Sequence, residues 1–556
     1  MHTRTNRLKD ALGKGEFVVT FEIIPGRGAG EAHQEKELDE ARKTWDTGLV
    51  HALSITDNPG GRPALLADAV AEEFAQRDIT VLVHFTVKDR NRNQLQSQLY
   101  ALEREGLENV LVMSGDYPAE GWSGGPRPVF DLDPVQTLLL ISDMNRGLVP
   151  SAPSGARPEQ PTRFCAGAVV NPFKYTEGET LTQYAKLDRK VFAGASYLIM
   201  QLGYDFRKFD ELQRYCRQKG YTVPLIANVF VLTRGTARLM RSGAIAGCLV
   251  SDELFALLQA EAEQEDKGKA ASLERAAQMV AVCRGMGFAG VHIGGMGLTA
   301  GSLTSILTRA EEIKDRWQEL AKQLCYGLSG GYYLYNEAAS SQTGGEAAGG
   351  TPSVAAGNGT PSGEAGGGTG FNLNSDNFAP RTEELGGSRI MRGYGLSRFF
   401  HRVVLTRGKG LYGILKRSMG RRERKRGLHR NHGIEHLSKT ALYGCMDCGD
   451  CGLEACVYSC PMSYCPKNQR NGPCGGSMQG WCEVYPEERY CIWYRAYHRL
   501  KKYGETDRLN RYITPPNNWD LNMISGGSNY THERDNAAHR IPMPDDDQRE
   551  HDEDRY

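Results

Sequence analysis

The sequence has no uninterrupted apolar run of about 18 residues, so a membrane span is not expected. It has no charge excess either. Lys+Arg and Asp+Glu both number 67, which removes any global field drawing the chain to nucleic acid or a membrane. Residues 1–12 are polar and lack the apolar core of a secretory signal. A cytoplasmic, reducing setting is the expectation. The turn after the first apolar run, residues 25–30, has glycines without the dinucleotide-binding spacing, and no such fingerprint appears elsewhere. Cysteine is sparse over the first 330 residues, where only Cys165, Cys216, Cys248, Cys283 and Cys325 occur. Nine more then crowd between Cys445 and Cys491. In a reducing compartment that crowding reads as metal ligation rather than a disulfide framework.

What is present in residues 1–330 is repetition. Eight short apolar runs, at 17–25, 51–57, 80–87, 109–116, 163–170, 197–205, 223–232 and 289–296, alternate with amphipathic stretches such as 92–106 and 181–195. Eight strand-then-helix units predict an α/β fold of the (β/α)8 TIM-barrel type. A doubly wound open sheet is the alternative. Residues 331–385 are dominated by Gly, Ser and Ala and read as a flexible linker. Residues 386–505 combine a basic, helix-prone segment with a small, α-rich Cys-rich domain. The polar stretch 506–556 is expected to lack structure.

Barrel enzymes place their chemistry where the strands end. The first run carries Glu22 near its end; the second ends in Thr56 and Asp57; the third holds His84 and Thr86. The fourth ends in Ser114, Gly115 and Asp116, the fifth in Asn171, and the sixth holds Gln201. Any one of these has an ordinary explanation, such as a helix N-cap or a satisfied core histidine. Six strands with the same habit indicate a site, because buried polar groups without partners are costly.

The segments FEIIP, SITDNPGG (54–61), HFTVKDRNRNQLQSQL (84–99), VLVMSGDYP (110–118) and LDRKVFAGASYLIMQLGYD (187–205) closely resemble the methylenetetrahydrofolate reductases. The resemblance covers roughly residues 10–310. It implies a barrel that holds FAD, or FMN, and reduces 5,10-methylenetetrahydrofolate to 5-methyltetrahydrofolate. Glu22 then matches the catalytic acid, which needs a pKa raised by apolar surroundings. Asp116 matches a carboxylate near both flavin and pterin. Thr56, His84, Ser114, Gly115, Asn171, Arg189 and Lys190 match flavin-contacting positions, and Gln201 a folate-binding glutamine. Two departures stand out: Ser114 replaces a common arginine, and the eighth run reads HIGGMGL (292–298). The Gly-rich loop 294–297 could cradle a phosphate or form a tight turn.

The cysteine run opens C-x2-C-x2-C at Cys445, Cys448 and Cys451 and continues through Cys460, Cys465, Cys474, Cys482 and Cys491. Cys456 breaks the spacing and is the expected spare. The stretch from Cys465 to Cys491 resembles the C-terminal domain associated with methylenetetrahydrofolate reductases. That resemblance implies [4Fe-4S] chemistry, with zinc as the alternative. Electrons would come from NAD(P)H or a ferredoxin-like protein, and assembly would be as a homo-oligomer or within a larger redox complex. The basic segment 416–430 has no interleaved aromatic platform, so an acidic redox partner is expected there rather than nucleic acid. A folate-dependent barrel methyltransferase and an electron-transfer adaptor are the rival functions.

Overall fold

A computed structural model of the chain describes residues 4–149, 157–335, 373–374, 390–407, 410–427 and 433–544. The eight apolar runs form eight parallel strands: β1 Val18–Ile23, β2 Ala52–Ile55, β3 Val81–Thr86, β4 Asn109–Met113, β5 Cys165–Val170, β6 Tyr197–Met200, β7 Leu225–Phe230 and β8 Gly290–Gly294. Each pairs with its neighbours in sequence order, and β1 pairs with β8 to close the barrel. The expected TIM barrel is therefore the observed fold.

Strand parity explains how the barrel is filled. Side chains alternate sides along a strand. On β1, Val19, Phe21 and Ile23 pack outwards against the surrounding helices. Val18 belongs to the inner cluster with Ala52, Leu82, Leu111, Tyr197 and Ile226. The helix Arg7–Lys14 adds Leu8 and Ala11 to that cluster and closes the N-terminal end. Two residues up the columns of β1, β2, β3 and β8 the chemistry becomes polar: Thr20, Ser54, His84 and His292 are all buried. One step higher stand Glu22, Thr56 and Thr86. On β1, β2 and β3 the column thus passes from apolar floor to polar mouth.

The C-terminal region folds against that mouth. Its own core joins Cys456, Val457, Trp493, Tyr497 and Leu500 to Ala185 on the barrel helix Glu177–Phe192. Residues 506–544 correct the expectation of disorder. Leu509, Ile513, Leu521, Ile524 and Met543 are buried, and Tyr512–Ile513 pairs antiparallel with Ile541–Pro542. The stretch looks unstructured in sequence because its anchors are isolated and because barrel side chains satisfy its backbone carbonyls. Arg92 donates to Asn517 O at 2.7 Å and Gln136 to Thr514 O at 3.0 Å. The linker assigned to 331–385 lies mostly outside the described residues, as do 428–432 of the basic segment and 545–556. Among the described residues no helix is long and apolar enough to cross a membrane.

Candidate active site at the barrel mouth

Glu22 is the acid at the centre of the open half of the mouth, formed by β1, β2, β3 and β8. Its Oε2 lies 3.4 Å from His292 Nε2, with the carboxylate 19% exposed and His292 2% exposed. His292 Nδ1 lies 2.8 Å from Thr20 Oγ1, and His84 Nε2 lies 2.8 Å from Ser54 Oγ. Each imidazole therefore has one nitrogen held by a strand hydroxyl. One ligand-type atom from each of Glu22, His84 and His292 lies within 4.8 Å of the others. Gly294 makes this possible: a Cβ there would stand 3.0 Å from Glu22 Oε1. The glycines of 294–297 make room for the acid and form a turn in which Gly297 takes φ +66°.

The electrostatics of Glu22 differ from the expectation. Burial raises its pKa, but the hydrogen bond and charge of His292, with His84 adding to them, reverse the sign and leave it below the ordinary value. Burial drives His84 down to about 4, so its ring is neutral near pH 7.

Three more of the residues expected from the sequence make their hydrogen bonds within the barrel. Thr56 donates to Ile23 O at 3.2 Å. Asp116, exposed, accepts the Gly60 N–H at 2.6 Å. Gln201 is half-buried, its Oε1 accepting from Leu202 N at 2.9 Å. Asp57 is locked between Thr86 Oγ1 and Arg90 Nη1, at 2.7 and 2.8 Å, and supports the wall.

The half formed by β4, β5 and β6 is covered by the C-terminal domain. Ser114 Oγ donates to Gln469 Oε1 at 3.2 Å, and Lys467 Nζ donates to Gly115 O at 2.8 Å. Asn171 Nδ2 donates to Gly475 O at 2.8 Å and Gly247 O at 3.1 Å. Lys174 Nζ reaches Ser477 O at 2.7 Å. Lys186 Nζ donates to Gln469 Oε1, Pro473 O and Gly472 O at 2.7, 3.0 and 3.3 Å. Arg189 donates to Tyr512 O at 3.0 Å and to Leu509 O, with its guanidinium 5.9 Å over Trp493. Lys190 is bound to Val169 O within the barrel, its pKa pushed well down by burial and by Lys186.

These contacts test the fit of a flavin. Thr56, His84 and Asp116 make their hydrogen bonds within the barrel, to Ile23 O, Ser54 Oγ and the Gly60 N–H. Ser114, Gly115, Asn171 and Arg189, which the resemblance gave to the same cofactor, are already bonded to the C-terminal domain, and Lys190 is turned to its own barrel. As arranged, this second group does not fit a flavin. The serine that departs from the family pattern at 114 is where Gln469 enters.

The cysteines fall into two groups. Cys445, Cys448, Cys451 and Cys460 line one pocket. Cys465, Cys474, Cys482 and Cys491 lie close enough that neighbouring thiols add to the burial that raises one another's pKa, to about 12 for Cys465 and about 11 for Cys474. Cys456 stands apart, 1% exposed in an apolar cluster. Four thiols per group fit a metal ion or a cluster by donor chemistry.

The sequence reading missed His292 and the cations Lys174 and Lys186. Parity was the available signal for His292, since the register sets it beside Thr20. Nothing local marks the two lysines, whose partners lie some 300 residues away.

Comparison with known proteins places both regions. Residues 7–311 match the family model described as methylenetetrahydrofolate reductase, and residues 428–520 match one described as methylene-tetrahydrofolate reductase C terminal. A probable methylenetetrahydrofolate reductase (NADH) of Oryza sativa subsp. japonica is 24% identical over 301 residues, covering 52% of this chain and 47% of that protein. A probable methylenetetrahydrofolate reductase (NADPH) of Caenorhabditis elegans is 23% identical over 236 residues, covering 41% and 32%. The chain spans about half the length, or less, of these curated relatives. One solved structure is described as an uncharacterized protein from Clostridium thermocellum that binds two copies of 5-methyl-5,6,7,8-tetrahydrofolic acid. It aligns over 55% of this chain and 99% of its own, with a TM-score of 0.39 and 14% identity. With more than half of its length inside the first family model, and the barrel that model requires, this chain belongs to the methylenetetrahydrofolate reductase family.

Proposed function

We propose that the chain reduces 5,10-methylenetetrahydrofolate to 5-methyltetrahydrofolate on the open half of its barrel mouth. The observation that carries this reading is Glu22, a carboxylate held among two imidazoles at the mouth of a barrel whose family is known. The methylene bridge joins two amine nitrogens. Protonating one of them breaks its bond to the carbon, the electron pair stays on nitrogen, and the resulting iminium accepts a hydride. Glu22 is the group placed to hand over that proton. Asp116, fixed by the Gly60 N–H, puts negative charge beside the developing cation. Gln201 offers an amide to the pterin edge.

The reduction needs two electrons. The family generally binds flavin, FAD or FMN, but the second group of resemblance-assigned residues is committed elsewhere, and no step is assigned to that cofactor. The C-terminal domain offers another entry. Its eight cysteines in two groups of four, Cys445, Cys448, Cys451 and Cys460 outside and Cys465, Cys474, Cys482 and Cys491 against the mouth, would hold metal. An iron–sulfur cluster there supplies one-electron transfer; zinc would supply stability alone. The inner group is joined to the mouth through Lys467 and Gln469. The helix Gly410–Arg426 exposes Arg421, Arg422, Arg424 and Lys425, a surface suited to an acidic ferredoxin-like donor. NAD(P)H is the other donor class.

Anaerobically purified protein, assayed for flavin, iron and zinc and supplied in turn with NAD(P)H and reduced ferredoxin, tests the reading. Formation of 5-methyltetrahydrofolate with either donor is expected. No turnover with any donor would refute it.

A further inference from the structure

The outer cysteine group has charged neighbours to which the reading above gives no role. Cys445, Cys448, Cys451 and Cys460 share their pocket with Glu435, Lys439 and Gly526. The helix Gly433–Tyr443 carries the two charges four residues apart, so they lie on one face. Lys439 is paired with Glu435, and its Nζ stands 4.0 Å from Cys451 Sγ. The ammonium is thus held between a carboxylate and a thiol.

Neighbouring contacts fix this arrangement. Glu435 accepts the Gly527 N–H at 2.8 Å and the Ser525 hydroxyl. Cys445 N donates to Lys439 O at 3.4 Å, which ties the helix end to the first cysteine of the group. Gly526 leaves the space for the ammonium: a Cβ there would stand 3.0 Å from Lys439 Nζ and 3.5 Å from Cys451 Cβ. The side chains of Lys439 and Glu435 are 24% and 18% exposed, so solvent and salt screen their charges only in part. An i,i+4 ion pair that served the helix alone would need neither the glycine nor the sulfur.

The other charged groups of the pocket, His436 Nδ1 and Asp447 Oδ2, lie against each other at 3.1 Å. The inner group is built differently. Cys465 Sγ accepts a backbone N–H, from Gln469 at 3.4 Å, while Lys467 is paired with Glu483 and Lys186 donates to oxygens.

A cluster held by four thiolates keeps a net negative charge, and its reduction adds one more. A fixed cation beside one sulfur favours the reduced form. We propose that Lys439 is a positioning residue of the outer cysteine group: its ammonium, seated over Gly526 and held by Glu435, raises the reduction potential of an iron–sulfur cluster bound there. This rests on the reading that the cysteine groups hold such clusters. Glu435 acts in two ways, keeping the ammonium in place and offsetting part of its charge.

The test is a redox titration of the anaerobically purified full-length protein, followed by electron paramagnetic resonance. The outer cluster is identified as the signal missing from Cys460→Ser. Lys439→Met should lower the potential of that cluster by about 59 mV, a tenfold change in the ratio of reduced to oxidised form for one electron, and leave the inner cluster unchanged. Lys439→Arg should stay near wild type. Glu435→Gln keeps an acceptor for the ammonium but removes a negative charge, so it should move the potential upwards. Gly526→Ala crowds Nζ away from the sulfur; it should lower the potential by less, and it serves if Lys439→Met fails to fold. An unchanged outer potential in Lys439→Met, or in Gly526→Ala where only that variant folds, would overturn the proposal and leave the clusters standing. A fall in Glu435→Gln would do the same. An outer group that takes zinc, or no iron, would sink the reading and the proposal together.

Discussion

The two halves of the barrel mouth are built by the same rule and used differently. On β1, β2, β3 and β8, Glu22, the two imidazoles and the hydroxyls of Thr20, Ser54 and Thr56 make their hydrogen bonds within the barrel. After β4 and β5, Ser114, Asn171, Lys174, Lys186 and Arg189 are bonded to the C-terminal domain. Under the proposed function one half serves the substrate, whereas the other holds two domains together. The difference shows that a residue's place in a family motif does not fix its partner. A buried cation takes whatever acceptors lie within reach, because leaving it without any is costly.

This contrast can be broken at several points. The largest effect is expected in the open half. Glu22→Gln should lower folate turnover by about 10²–10⁴-fold, the range for losing a general acid, while circular dichroism and thermal melting stay close to wild type. Retained turnover would show that the acid lies elsewhere.

In the covered half the readout is stability, not rate. Lys186 is 2% exposed and donates to three acceptors of the 469–473 segment. Lys186→Met removes a charged donor from all three and should cost roughly 3 kcal/mol of domain docking. Hydrogen exchange across 467–477 would report it as faster exchange; unchanged protection would mean that the contact does not hold the domain. Gly472→Ala strikes the same seam from the other side. Gly472 has φ +111°, and a Cβ there would lie 2.6 Å from Lys186 Cβ. A cost of about 1–3 kcal/mol follows, measurable as a lower melting temperature.

The metal sites sharpen the comparison further. Cys474→Ser should remove the metal of the group against the mouth and leave the outer group loaded, and Cys460→Ser should do the reverse. Cys456→Ser should leave metal content unchanged. Loss of all metal in either of the first two variants would mean one site rather than two.

The smallest effect is on acid stability. The folded state holds His84 down at about 4 from an ordinary 6.5. Between those values the unfolded chain takes up a proton that the folded chain refuses. Stability is therefore full above about 6.5 and falls as the pH drops towards 4. His84→Gln should flatten that part of the pH dependence of urea unfolding.

Much of the barrel was legible because it depends on short-range pattern. Runs of Val, Ile, Leu and Phe ended by polar residues gave all eight strands, and put Glu22 and His84 on the first and third of them. His292 was legible in principle by strand parity, but the reading of that run stopped at its glycines, as a phosphate cradle or a tight turn. The covered half was not legible. Most of its bonds run from side chains to backbone carbonyls 286–323 positions away, and a carbonyl carries no mark of residue type. The stretch 506–544 was misread for the same reason: its order comes from Arg92, Gln136 and Arg189 on the barrel, not from its own composition.

The division of the mouth turns on Arg189, which a family motif gives to a flavin and this fold gives to Leu509 and Tyr512. The direct measurement is Arg189→Met in the full-length protein, with FAD and FMN affinity followed by fluorescence and the 506–544 segment followed by limited proteolysis. The account predicts that the segment becomes cleavable while flavin affinity stays at the wild-type level. A loss of flavin affinity with the segment still protected would contradict it.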